Sequence, residues 1–95
     1  YPAREFDGRE AAALGFVTRL SDAPLADAMA LARQIAGNNP DAVRGVKRLF
    51  NHAADADESA LLIAESAEQH AVLGSPNQME AAAAAMQKRP PRFAD

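Results

Sequence analysis

Alanine makes up 24 of the 95 residues, about half of everything apolar in the chain, and no other feature limits the fold as much. Alanine is the strongest helix former, but it buries little area. Only 22 side chains are large and apolar: 8 Leu, 2 Ile, 4 Val, 4 Phe, 3 Met and 1 Tyr. At roughly 1.5–3 kcal/mol for each one fully buried, they make a thin core for a domain of this size. Such a chain either packs closely by itself as helices or borrows a surface from a partner.

The punctuation is helical throughout. Asp7 caps a short helix through Leu14, and Gly15 stands where a left-handed C-terminal cap belongs. Phe16 to Leu20 alternates apolar and polar residues and reads as a short extended segment, too short to be a sheet alone. Ser21 or Asp22 opens a second helix, with Leu25, Met29, Ala32 and Ile35 on one stripe; Gly37-Asn38-Asn39 ends it. Asn39-Pro40 restarts the chain with a cap and a proline at the first helical position. Val43, Val46, Leu49 and Phe50 form the third stripe. A fourth helix is predicted from Asp57 to Leu73, stopped by Gly74. Ser75-Pro76 repeats the cap-and-proline start of a fifth helix to about Lys88, before Pro90-Pro91.

Composition also excludes several classes. There is no cysteine, hence no disulfide framework and no thiolate nucleophile. The net charge of −3 gives no reason to expect nucleic-acid binding. The longest purely apolar run, Ala81–Met86, is far short of a membrane span. The chain starts Tyr1-Pro2-Ala3 without Met or a signal pattern, as a processed chain or fragment would. These features fit a cytoplasmic protein.

The candidate chemistry is sparse. His52 and His70 sit late in predicted helices, where a cation suits the dipole, with no serine or acid arranged near them. Asp55, Asp57 and Glu58 lack the turn glycine of a calcium loop and read as a solvated connector, so no metal site is expected. Glu65 and Glu68 lie three apart on an alanine-rich helix and read as its wet face. Lys88-Arg89-Pro90-Pro91-Arg92 is the one basic cluster. A solvated helix end explains it from charge alone; the other reading is an anion site, for instance for phosphates.

One segment carries a resemblance. Arg4, Phe6, Glu10-Ala11, Gly15 and Val17, at this spacing, resemble a stretch found after the α/β core of the crotonase (enoyl-CoA hydratase/isomerase) family. Phe16 replaces the usual leucine and Leu20 the usual valine; both keep the apolar character. Leu31–Ala36, Ala42–Leu49 and Ser75–Phe93 resemble the family's later helices and tail, so the resemblance covers essentially the whole chain. It implies that residues 1–95 are the C-terminal helical, trimerisation region of such an enzyme. The fold is then all-α with four or five helices, and Phe16-Val17 plugs an apolar core. It also implies that the N-terminal acyl-CoA-binding core, with its oxyanion hole and catalytic glutamates, lies upstream, so no catalytic residue falls in this chain. The expected partners are that core and further copies, as a trimer or a dimer of trimers, with a coenzyme A thioester as the parent's substrate. In family hydratases a lysine of the last helix, with an aromatic residue three before it, lies close to the CoA. Lys88 holds the lysine position; Ala85 holds the aromatic's, a departure that removes stacking on adenine and leaves phosphate pairing. The rival expectation is a free-standing helical interaction module.

Overall fold

A computed structural model of the chain describes residues 2–95. They form five helices: α1 (Gly8–Ala13), α2 (Pro24–Ala36), α3 (Pro40–Ala53), α4 (Glu58–Val72) and α5 (Pro76–Met86). No strand occurs among the described residues, and no helix among them is long and apolar enough to cross a membrane. The chain divides into two compact units, one ending at Ala32 and the other running from Arg33 to Asp95.

In the first unit the Asp7 carboxylate accepts from the Glu10 amide at 2.9 Å and starts α1. The helix ends in a Schellman motif. The Gly15 amide donates to the Ala12 carbonyl at 3.2 Å and the Phe16 amide to that of Ala11 at 2.9 Å. Gly15 has φ +81°, a conformation open to glycine without steric cost. The next residues do not extend into a strand: 16–18 are bends, because the two capping bonds turn the chain at once. Phe16 plugs no core here. It is 71% exposed and stacks on Phe6, with ring centroids 5.4 Å apart. Leu20 comes back to Gly8, where a Cβ would stand 3.0 Å from Leu20 Cδ2. The start of α2 is later than Ser21 or Asp22. Ser21 Oγ accepts the Ala23 amide in a tight turn, and the helix begins at Pro24, whose missing N–H costs nothing in a first turn.

In the second unit Asn39 caps α3 by accepting from the Asp41 and Ala42 amides at 2.9 and 3.4 Å. Asp57 does the same for α4 and Ser75 for α5. Helix α3 packs on α4 at Gly45, which is buried; a Cβ there would lie 3.0 Å from Glu68 Oε2. The Glu68 carboxylate accepts from both Nε and Nη2 of Arg48 at 2.6 Å, which ties the two helices together. That bidentate contact holds the Glu68 carboxyl below its ordinary pKa.

The core is as thin as the alanine count implies. Ala84 is the one buried apolar residue described, and no large side chain is fully buried. Leu25, Phe50, Ile63, Leu73 and Met86 are all at least 70% exposed.

Candidate functional site: the end of helix α5

The basic cluster expected to matter lies where α5 stops. Ser75 and Pro76 start the helix, and the alanine run carries it to Met86. Pro90 disfavours a helical conformation at Arg89, so the chain has only Gln87 and Lys88 in which to turn. It does so with a second Schellman motif. The Lys88 amide donates to the Ala85 carbonyl at 3.2 Å and the Arg89 amide to that of Ala84 at 3.0 Å. Lys88 therefore does not continue the helix as expected. It takes a left-handed conformation, φ +53°, at the position where glycine is usual. For a residue with a Cβ this costs about 1 kcal/mol or more.

Within the cluster the cations are not equivalent. Arg89 donates from Nη1 and Nη2 to the two carboxylate oxygens of Glu80 at 2.6 and 2.9 Å. Glu80 Oε1 also accepts the Arg92 amide at 2.7 Å. The Arg89 guanidinium first, and the Arg92 amide second, hold the Glu80 carboxyl down to about 2. Arg89 is thus neutralised inside the chain. Lys88 is exposed and has no ion-pair partner among the described residues; the Arg92 side chain is likewise exposed and unpaired among them.

The tail that follows is clasped to the unit by Asn77, which is only 7% exposed. Its Nδ2 donates to Asp41 Oδ2 at 2.9 Å and to the Ala94 carbonyl at 2.8 Å, while its Oδ1 accepts the Ala94 amide at 2.9 Å. An ion pair between Arg44 and Asp95 closes the same end. One short polar side chain therefore joins the start of α3, the start of α5 and the tail. No local signal in the sequence marks this residue, because its three partner groups lie 17 or 36 positions away.

The other candidates do not converge. His52 and His70 are exposed in the last turns of α3 and α4. Glu68 is engaged by Arg48, and Glu65 accepts from Gln69 at 3.3 Å. Both glutamates border an open groove of about 360 Å³ with Val46, Leu49 and Val72. A carboxylate already held by a bidentate arginine has no basicity to spare for proton transfer. Asp57 is a helix cap. What this end of α5 presents chemically is an exposed lysine without an ion-pair partner among the described residues, beside an arginine bound to a carboxylate.

No family model matches the chain, nor does any curated protein. Among solved structures it is similar to the crystal structure of an enoyl-CoA hydratase from Polaromonas sp. JS666, with a TM-score of 0.84 and 26% identity. The likeness covers 94% of this chain and 35% of that one, so these residues span about a third of the hydratase's length.

Proposed function

We propose, from the premise that this chain has the C-terminal helical region of the crotonase fold, that it is the structural and oligomerisation part of an enzyme acting on enoyl-CoA thioesters. Hydration or isomerisation of the thioester takes place on residues outside these 95. The observation that carries the reading is the exposure of Leu25, Phe50, Ile63, Leu73 and Met86 on helices that are otherwise well capped. Large apolar side chains left this open mark surfaces made to be covered, here by an acyl-CoA-binding core and by further copies of the chain.

Lys88 has the second role, pairing with a phosphate of the bound coenzyme A. Its left-handed backbone supports this. Glycine would make the turn without strain, so a lysine here carries a backbone cost that a role for its side chain accounts for. Lys88→Ala in the full enzyme raises KM for a CoA thioester roughly two- to fivefold, as suits a partly wet charge pair. It leaves kcat unchanged. A thioester truncated before the nucleotide shows no difference between the two proteins.

Light scattering on the isolated chain tests the structural role. Self-association is expected, with no hydration of a short enoyl-CoA above the buffer rate. A compact, well-folded monomer at high concentration would overturn the reading in favour of a free-standing helical module.

A further inference from the structure

We propose that Glu80 is a positioning residue for Lys88: its carboxylate, by gripping Arg89 and the Arg92 amide, locks the left-handed turn and so fixes where the Lys88 ammonium stands. The inference rests on the reading of Lys88 as a cation for coenzyme A. The argument starts from the two Schellman motifs. Both helices α1 and α5 end in the same pair of backbone hydrogen bonds. Those bonds suffice where the left-handed residue is Gly15. They supply no more at α5, yet the residue there is a lysine, which disfavours the conformation. Something present at α5 and absent at α1 must offset the difference.

That something straddles the turn. Glu80 lies on α5 before the turn, and all three of its bonds go to residues after it: two from the Arg89 guanidinium and one from the Arg92 amide. In the first unit the corresponding ion pair, Arg4 with Glu10, lies wholly before Gly15 and braces nothing beyond it. Arg89 is the residue next to Lys88. Its amide closes the Schellman motif while its side chain is held by Glu80, so neither end of it is free to let the turn unwind. With φ of Lys88 fixed, the direction of its Cβ is fixed too, and the ammonium searches a smaller volume before meeting a phosphate.

The same geometry gives a test in which charge and position have opposite signs. Glu80→Gln removes a negative charge and leaves the Arg89 guanidinium held only by the Gln87 side chain at 2.7 Å and the Pro90 carbonyl at 3.1 Å, so a purely electrostatic role tightens the binding of an anion. A positioning role weakens it. In the full protein, calorimetric titration with free coenzyme A is expected to show Kd raised about threefold by Glu80→Gln, with no further effect in a Lys88→Ala background. Thermal unfolding gives a second readout. Glu80→Gln lowers the midpoint when residue 88 is lysine, and much less in the Lys88→Gly background, because glycine holds the turn unaided. Equal losses in both backgrounds, or tighter coenzyme A binding in Glu80→Gln, would overturn the proposal. If Lys88→Ala leaves coenzyme A binding unchanged, it is the reading of Lys88 that fails, and the thermal comparison alone decides for or against the clamp. Arg89→Lys, which keeps the charge and loses the two-pronged contact, replaces Glu80→Gln should that variant not fold.

Discussion

Helices α1 and α5 stop in the same way and are followed by different solutions. After Gly15 the chain is held by apolar contacts, Phe16 on Phe6 and Leu20 over Gly8. After Lys88 it is held by polar ones, Glu80 to Arg89 and Arg92, then Asn77 to Ala94. The difference teaches that a turn made by glycine can be followed by undirected apolar contacts. A turn made by a residue with a Cβ is kept by directed bonds on both of its sides, and these fix the side chain as well as the backbone.

The largest expected effect is on the clasp that only the second end has. Asn77→Ala strands the Ala94 amide and leaves Asp41 without its donor. It should cost about 2 kcal/mol, the usual penalty for breaking several bonds of a buried polar group. Denaturant unfolding of the full protein measures it, and a cost near zero would mean the tail is held by something other than this amide.

Next come the two capping residues themselves. Gly15→Ala forces a Cβ into a left-handed position and should cost about 1 kcal/mol or more, although nothing lies within 4 Å of the added carbon. Lys88→Gly should do the reverse and gain about 0.5 kcal/mol, the relieved strain less the extra freedom of an unfolded glycine. A loss on Lys88→Gly would show that the lysine side chain itself braces the turn.

Much of this architecture is legible in the sequence because its signals are local. Asp7, Gly15, Asn39-Pro40, Gly74 and Ser75-Pro76 each act on amides or carbonyls a few residues away, and each stands where its residue type implies. What is not legible is what acts at a distance or against propensity. Ser21 looks like a helix cap but closes a turn that precedes Pro24. The alternation from Phe16 to Leu20 has the period of a strand, with no strand to pair with among the described residues. Arg48 meets Glu68 across 20 residues, and Asn77 meets Asp41 across 36. A left-handed lysine has no compositional sign at all. The basic cluster is thus visible in the sequence as residue types, while its geometry is not.

Acid separates the two ends less sharply, since both contain arginine-bound glutamates. The folded-state pKa of Glu80, about 2, lies below the ordinary carboxylate value of about 4.3. Its contribution is therefore fully present above pH ~4.3 and is lost as pH falls from there toward 2. Glu10 and Glu68 are lowered in the same direction by Arg4 and Arg48. Glu80→Gln should flatten part of the decline in thermal midpoint below pH ~4.3 and leave the curve's shape above it unchanged. Because the Glu80 side chain is 22% exposed, solvent screening keeps this smaller than the loss of the Asn77 clasp.

The smallest effect belongs to the pair before the first turn. Arg4 and Glu10 are 58% and 40% exposed, and Arg4→Ala should not move the thermal midpoint measurably. A clear loss there would bring the two ends closer together in kind, by showing that the first also leans on an ion pair.

Four of the five helices begin on a side chain that serves amides no more than three residues away, at Asp7, Asn39, Asp57 and Ser75. Part of what fixes where each of them starts is encoded within the segment itself. On the proposed function, whatever covers Phe50 and Ile63, on the capped helices α3 and α4, meets surfaces already shaped, and less of the entropy of ordering the chain falls on the association step. The assembly proposed above would then behave largely as the docking of preformed helices. Its heat-capacity change follows the apolar area buried, without the larger increment that accompanies folding on contact.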